Sequence, residues 1–156
     1  MSEDIRLRAV EESDLEVFLE QEHDPEAVRR SQFQPRERER FLDHWRIRVL
    51  GDPTVFVRAV VIDGELAGNI VSWWVGGERY LGYWLGRAYW GRGIGGRALA
   101  KFLELETTRP LYADPVVGNV GSIRILEKCG FLPLRTERHG DNEHLVLALG
   151  GPEGDL

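Results

Sequence analysis

A glycine-rich stretch constrains the folding of this chain more than any other feature of its sequence. Gly91-Arg92-Gly93-Ile94-Gly95-Gly96-Arg97 follows a predicted strand at 79–86 and opens a predicted helix with a continuous apolar face. Glycine lets a backbone approach a ligand closely, and a helix N-terminus presents unpaired N–H groups to an anion. The two arginine side chains can add charge-assisted hydrogen bonds. The stretch therefore predicts a strand-to-helix turn that binds a phosphate-bearing ligand.

Two nucleotide-binding motifs share part of this pattern. Gly91, Gly93 and Gly96 satisfy the G-x-G-x-x-G spacing of dinucleotide-binding folds, with Asp114 downstream as a candidate ribose ligand. That fingerprint normally lies on the first parallel strand of its fold, whereas here three strands precede it. The spacing also resembles a P-loop, but Arg97-Ala98 replaces the Lys-Ser/Thr pair that binds phosphate and magnesium. A nucleotide hydrolase is rejected, and dinucleotide binding remains a weaker alternative.

The hydrophobic pattern along the chain predicts a mixed α+β domain whose sheet is mostly antiparallel. Its central part alternates as three successive strands, joined by turns at Asp63-Gly64 and Gly76-Gly77. The predicted order is β-α-α-β-β-β-α-β-α-β-β, with helices flanking the sheet. We assign residues 1–149 to a single domain and expect residues 150–156 to form a frayed tail.

Two separate segments resemble the signatures of one enzyme family. Tyr83-Trp84-Leu85-Gly86 followed by Tyr89-Trp90-Gly91-Arg92-Gly93-Ile94-Gly95 is similar to the coenzyme-A signature of the GNAT N-acetyltransferases. The segment from Asn119 through Ser122 to Gly130-Phe131 resembles their second signature. The variant is closest to the branch of ribosomal-protein N-terminal acetyltransferases, and the element order agrees across residues 5–149. The common pattern has Gln or Arg where Trp90 stands.

This resemblance implies the acyl-CoA N-acyltransferase fold and acetyl-CoA as the acyl donor. The pantetheine arm would pair with the strand backbone at Tyr83, Trp84 and Leu85, and Asn119 and Ser122 would lie near the pantetheine or the thioester. The pyrophosphate would lie on the turn, for which the expected contact residues are Trp90, Gly91, Arg92, Gly93, Ile94, Gly95, Gly96 and Arg97.

The resemblance also implies direct attack of a primary amine on the thioester in a ternary complex. Candidate catalytic residues are Ser122 as the acid, Asn119, and Asp114 as an alternative base. A different acid is needed because many relatives place a tyrosine acid where this chain has Leu126. The missing tyrosine keeps a rival hypothesis open, in which the protein is a non-catalytic acyl-CoA sensor.

The acceptor is expected to be a small-molecule amine or a protein N-terminus. Trp45, Trp73 and Trp74 fall in the regions that build the acceptor site in this family. Adjacent residues of a strand point to opposite faces, so we expect at most one of the two neighbouring tryptophans to line that site. A homodimer is a further expectation from the resemblance.

Charge and composition exclude several other classes. A net charge of −6 argues against nucleic-acid binding, since phosphate contacts need clustered basic residues. No apolar run approaches the roughly 20 residues of a membrane helix, and the Met-Ser-Glu-Asp start does not resemble a signal peptide. We therefore expect no membrane association and a cytoplasmic location. One cysteine and four scattered histidines predict neither an internal disulfide nor a metal site.

Overall fold

The computed structural model describes residues 3–150, which form one seven-stranded sheet with α-helices on both faces. The strands are β1 (Ile5–Arg8), β2 (Phe56–Ile62), β3 (Glu65–Val75), β4 (Glu78–Leu85), β5 (Leu111–Ala113), β6 (Leu132–His139) and β7 (Asn142–Leu149). The helices are α1 (Asp14–Glu22), α2 (Pro25–Ser31), α3 (Arg38–Asp43), α4 (Ile94–Leu105) and α5 (Val120–Lys128). The predicted tail lies, apart from Gly150, outside the described residues.

Helix α2 has no counterpart in the predicted element order, which ended the first helix near Pro25. The carboxylate of Asp24 accepts hydrogen bonds from the backbone N–H groups of Glu26 and Ala27, and so caps a new helix. Proline at the first helical position leaves no donor unsatisfied and has a suitable φ angle. Pro25 therefore begins a helix instead of only ending one.

The predicted second helix also differs in detail, because its second half is π-helical. Helix α3 continues directly into a π-helical segment at His44–Val49, which is followed by Gly51. Its buried apolar side chains include Phe41 and Trp45. The predicted helix is therefore present, although its second half is of a different helix type.

The sheet order is β1-β2-β3-β4-β5-β7-β6, and every neighbouring pair is antiparallel except β4 and β5. Asp63 and Gly64 both have positive φ angles of 49° and 85°, which is the turn geometry that favours a two-residue hairpin between β2 and β3. The predicted mixed, mostly antiparallel fold is confirmed. A dinucleotide-binding fold requires a largely parallel sheet, so that alternative is wrong for this chain.

Two hydrophobic cores cover the two faces of the sheet. Helices α4 and α5 cover one face, where Ile70 and Leu81 point toward Phe102. Helices α1 and α3 and the π-helical segment cover the other face, where Val57 and Val71 pack. Side chains on both faces of β2 and β3 are therefore buried, which explains why these strands contain so many apolar residues.

The parallel strands β4 and β5 pair over only two residues each. Arg79 lies opposite Leu111 and Tyr80 opposite Tyr112, and no pairing continues to Leu85. Past this point β4 runs on without a neighbour on that side. We call the resulting gap the β4–β5 gap, and both cavities described below border it.

None of the helices within residues 3–150 has the length and apolar character needed to cross a membrane. In the same part of the chain, no three His, Cys, Asp or Glu side chains are placed to hold a metal ion together.

Candidate active site

The glycine-rich turn forms one wall of a cavity of about 360 Å³. Gly91 and Gly93 have φ angles of +72° and +74°, in the left-handed region, and Gly93 is the N-cap of α4. Helix α4 therefore begins with its free N–H groups facing the cavity wall, as an anion site requires. We call this space, which is bordered by Leu85, Trp90, Gly91, Gly93, Gly95 and Gly96, the glycine-turn cavity.

The arginine side chains of the turn lie elsewhere than expected. Arg92 and Arg97 both form ion pairs with Glu3, which precedes β1, and neither residue borders the glycine-turn cavity. The basic residues that do border it are Arg30 of α2 and Lys128 of α5. Sequence reasoning missed Arg30 because it missed α2, although Asp24-Pro25 is a recognisable helix start.

The backbone of β4 presents part of its polar edge to the gap. Gly86 donates its N–H to the carbonyl of Ala67 at 2.9 Å, and antiparallel hydrogen bonding then alternates along β4. Trp84 therefore bonds to β3, while Tyr83 and Leu85 point their N–H and C=O groups toward the gap. The Leu85 carbonyl accepts a hydrogen bond from the Trp90 indole at 2.9 Å. Of the three residues predicted to pair with pantetheine, Tyr83 and Leu85 have backbone groups that face the gap.

A hydroxyl pair joins β4 to the start of α5. The Tyr83 hydroxyl lies 2.6 Å from the Ser122 hydroxyl and donates to the Ser122 carbonyl at 3.1 Å. Burial raises the pKa of Tyr83 to about 12, so the phenol keeps its proton at neutral pH. Sequence reasoning proposed Ser122 but missed this side chain, because the two residues are 39 positions apart. Leu126, which replaces the tyrosine of relatives, is buried in the core.

Asn119 caps helix α5, and its side-chain oxygen accepts a hydrogen bond from the Ser122 N–H at 3.4 Å. The side chain also borders both cavities. Because capping uses only the oxygen, the amide NH₂ group is left to donate elsewhere.

Asp114 follows β5 directly, at the point where β4 and β5 have already separated. Burial raises the pKa of its carboxyl group, and its carboxylate forms no ion pair with any residue in 3–150. Its backbone carbonyl lies 2.6 Å from Nδ1 of His144. A carboxylate with a raised pKa beside a cavity is a candidate proton acceptor.

A second cavity of about 650 Å³ lies between the sheet and the helices α1 and α3. We call it the aromatic cavity, after the aromatic side chains that border it: Phe18, Phe33, Phe41, Trp45, Trp73, Trp74, Tyr83 and Trp84. Asp114 and His144 also border it, whereas His139, in the last hairpin, does not.

The three tryptophans predicted at the acceptor site all border the aromatic cavity. Trp45 is 6% exposed and packs against Phe18 with 5.0 Å between ring centroids. The expectation that at most one of Trp73 and Trp74 lines the acceptor site stays a prediction, although both residues border this cavity from opposite faces of β3. Both can border it because β2 begins opposite Ser72, which leaves the end of β3 uncovered on that side.

The two cavities meet at a common set of residues: Ser31, Tyr83, Trp84, Asn119 and Ser122. One ligand can therefore enter over the glycine-rich turn and a second from the aromatic side, with their ends in contact beside the Tyr83–Ser122 pair. A sheet separated between two parallel strands, with a helix N-terminus at the gap, is the architecture of the acyl-CoA N-acyltransferase fold.

Comparison with known proteins identifies the family. Residues 4–132 match the family model described as the acetyltransferase (GNAT) domain. The chain belongs to the GNAT acetyltransferase family, which confirms the predicted acetyl-CoA-dependent acetyltransferase. No relative was found among curated protein sequences.

Solved structures with the same fold include acetyltransferases of different specificity. An AAC(6')-Ib aminoglycoside acetyltransferase in complex with coenzyme A is 21% identical with a TM-score of 0.77, over 97% of this chain and 96% of that one. The RimL ribosomal L7/L12 α-N-protein acetyltransferase in complex with coenzyme A is 17% identical with a TM-score of 0.76, over 92% of both chains. A spermidine N-acetyltransferase SpeG chimera from Vibrio cholerae is 15% identical with a TM-score of 0.79, over 93% and 94%.

Proposed function

We propose that this protein transfers the acetyl group of acetyl-CoA to a primary amine by direct attack within a ternary complex. The observation that carries the proposal is the meeting of the two cavities at Tyr83, Asn119 and Ser122. Acetyl-CoA would occupy the glycine-turn cavity, with its pyrophosphate at the N-terminus of α4. The amine would enter through the aromatic cavity and reach the thioester without an acyl-enzyme intermediate.

The attacking amine must be neutral, and Asp114 is our candidate for the group that removes its proton. This carboxylate borders the aromatic cavity only, which is the side from which the amine would approach. Its raised pKa makes it a stronger base than an exposed aspartate. Backbone N–H groups of Tyr83 or Leu85 that face the gap could stabilise the negative charge that develops on the thioester oxygen.

The departing thiolate needs a proton, and the Tyr83–Ser122 pair is positioned to supply it. In this proposal the Ser122 hydroxyl transfers its proton to the sulfur and takes the phenol proton of Tyr83, which turns from the Ser122 carbonyl to the Ser122 hydroxyl. The phenol then regains a proton from solvent. The 2.6 Å separation of the two oxygens supports a direct hydrogen bond between them. This arrangement would replace the tyrosine acid that relatives carry where this chain has Leu126.

A non-catalytic acyl-CoA sensor is the competing function, and it would keep the glycine-turn cavity without the chemistry. Release of free coenzyme A thiol from acetyl-CoA, measured across a panel of primary amines, separates the two. We expect at least one amine to accelerate release and to become acetylated, as judged by mass spectrometry. Tight binding of acetyl-CoA with no acceleration by any amine would establish the sensor and exclude the enzyme.

The pH dependence tests the role of Asp114. As the pH falls through its raised pKa, Asp114 gains a proton and stops accepting one, so kcat/KM should fall on the acid side. We expect Asp114→Asn to lower kcat/KM by about 100-fold at neutral pH and to remove that acid-side fall. Asp141→Asn, at an exposed position in the β6–β7 turn, serves as the control. An unchanged rate and pH profile in Asp114→Asn would exclude this carboxylate as the base.

A further inference from the structure

Two of the three carboxylates that border the aromatic cavity accept hydrogen bonds within the chain. Both carboxylate oxygens of Glu22 accept hydrogen bonds from Arg36, one from its backbone N–H at 2.9 Å and one from its guanidinium at 3.0 Å. Asp52 accepts from the N–H and the hydroxyl of Thr54. Within residues 3–150, Asp114 is the carboxylate of this cavity that is left without a hydrogen-bonded side-chain partner. Asp52 keeps its negative charge, but Thr54 occupies one of its oxygens, so Asp114 is the carboxylate most available to a ligand amine.

Basic side chains also border the aromatic cavity. Arg36, His44 and Arg48 all border the aromatic cavity. Arg36 and Arg48 lie close enough to His44 to lower the pKa of its imidazole, in addition to the larger effect of burial. Arg36 is paired with Glu22, whereas Arg48 forms no ion pair within residues 3–150. A ligand with several amino groups that brought one of them against the Arg48 guanidinium would lose free energy through like-charge repulsion.

Flat aromatic surface makes up much of the remaining wall. Trp73 lies over the backbone of β4 at Gly82, where an added Cβ would come within 3.1 Å of its ring. Phe33 meets Trp84 edge to face, with 5.7 Å between centroids. Trp45 packs between Phe18 and Phe41. These rings offer extensive apolar contact to a ring-shaped ligand.

Few polar groups remain to bind amide groups of a peptide. The Trp84 indole donates to the Gln21 carbonyl, and Nδ1 of His144 lies within hydrogen-bond distance of the Asp114 carbonyl. Asn69 is 6% exposed, borders the cavity, and its side chain forms no hydrogen bond to any residue in 3–150. Asn69 and the NH₂ group of Asn119 remain to bind a further polar group of a ligand with one amine, whereas the several amide groups of a longer peptide would outnumber them.

Building on the proposed N-acetyltransferase function, we infer that the acceptor is a small monoamine with an aromatic body, of the arylalkylamine class. Its ring would lie against Trp73 and its amine would lie beside Asp114, at the end of the cavity that borders the thioester. Polyamines and aminoglycosides, the substrates named for some proteins of the same fold, would be poor acceptors for this chain.

A panel of acceptors tests this inference on the full-length protein. Phenethylamine, tyramine and tryptamine are compared with spermidine, kanamycin and peptides beginning with serine or phenylalanine, at a fixed saturating acetyl-CoA concentration. We expect kcat/KM for the best arylalkylamine to exceed that for every polycation and peptide by at least about tenfold. If polycations or peptides are preferred, the inference is overturned while the N-acetyltransferase stands. If no amine in the panel is acetylated, both the inference and the proposed function fail.

Substitution at Trp73 provides an independent measurement. Trp73→Ala should lower kcat/KM for tryptamine at least about tenfold more than it lowers kcat/KM for a short aliphatic monoamine such as propylamine. Trp73→Phe keeps an aromatic face and should recover most of the loss. Acetyl-CoA affinity, measured by calorimetry in each variant, reports whether the fold and the glycine-turn cavity are intact. Equal losses for aromatic and aliphatic amines in a variant with unchanged acetyl-CoA affinity would contradict the placement of the ring.

Discussion

At Gly93 the backbone has a φ angle of +74°, and an added Cβ would meet no atom within 4 Å. The position therefore restricts the backbone conformation but leaves space for a side chain. Asparagine and aspartate adopt the left-handed region more readily than other non-glycine residues. Because they have nearly the same shape, they separate the effect of charge at this turn from the effect of bulk.

Gly93→Asp should weaken coenzyme A binding by about 30-fold or more, because it adds a negative charge at the predicted pyrophosphate position. Gly93→Asn, the neutral counterpart, should stay within about tenfold of the natural protein. Calorimetric titration with coenzyme A measures both. Equal affinities for the two variants would show that the pyrophosphate lies elsewhere.

At the Tyr83–Ser122 hydroxyl pair, removal of a single oxygen atom tests the proposed proton transfer to the thiolate. Tyr83→Phe removes one hydroxyl from a buried position without changing the packing of the ring. We expect Tyr83→Phe to lower kcat by about tenfold and Ser122→Ala by about 10- to 100-fold.

If the two hydroxyls act as one unit, the double variant should be no slower than Ser122→Ala. Acetyl-CoA affinity should stay the same in all three variants, which serves as the control for folding. Effects on kcat that multiply in the double variant would mean that Tyr83 and Ser122 act independently.

At the scale of elements, the position of β4 depends on how closely β3 can approach it. A Cβ at Gly68 would lie 2.0 Å from the backbone carbonyl oxygen of Trp84, so only glycine fits at this crossing. Gly68 lies beside an irregularity in the pairing of β2 with β3, after Val60. Glycine at this position therefore sets where the edge at Tyr83 and Leu85 lies.

Gly68→Ala should destabilise the fold by about 1–3 kcal/mol, because the backbone of β4 must shift. The same shift should weaken acetyl-CoA binding. Gly77→Ala, in the β3–β4 turn, introduces a Cβ into open space and should change stability by less than about 0.5 kcal/mol. Urea unfolding of both variants checks this, and similar stabilities would contradict the proposed close approach.

A buried ion pair connects helix α4 to the sheet. Glu106 caps the C-terminus of α4, and its carboxylate accepts from the Arg79 guanidinium at 2.9 Å and from the Ser72 hydroxyl at 2.5 Å. Arg79 also donates to the Thr54 carbonyl at 2.8 Å. The pair lies where β4 and β5 are still joined, and so it anchors the end of the sheet opposite the gap.

At the scale of the whole molecule, the β4–β5 gap leaves strand edges and a helix N-terminus without protein partners. A ligand that fills the gap binds the folded state and not the unfolded chain, so it should raise stability by mass action. At a concentration 100 times its dissociation constant, acetyl-CoA should add about 2.7 kcal/mol.

For a domain of this size that free energy corresponds to a rise in Tm of about 5–10 °C. Thermal unfolding followed by circular dichroism, with and without acetyl-CoA, measures the rise. It should be much smaller in Gly93→Asp than in Gly93→Asn. An equal rise in the two variants would indicate that binding occurs outside the glycine-turn cavity.

Much of the fold could be predicted because its signals are local. The Asp63-Gly64 hairpin, the apolar faces of α4 and α5 and the strand-to-helix turn each depend on residues close together in sequence. Helix α2 was missed because seven residues contain too short a period to recognise, although Asp24-Pro25 marks its start. The candidate site was predicted in part: the glycines of the turn border the expected cavity, whereas Arg92 and Arg97 pair with Glu3.

By itself, the sequence determined the turn at Gly91–Gly96 and most of the element order, since these follow from spacing along the chain. Its two motifs also resembled the family that the comparison identified. Tertiary structure decided which distant groups meet. Tyr83 reaches Ser122 across 39 positions, and Arg97 reaches Glu3 across 94. The glycine-rich turn thus supplies backbone N–H groups for a phosphate, while packing of α2 and α5 against the gap decides which cations and hydroxyls surround it. The physical reason is that φ preferences and periodicity act between near neighbours, whereas ion pairs and cavities depend on the packing of the whole sheet.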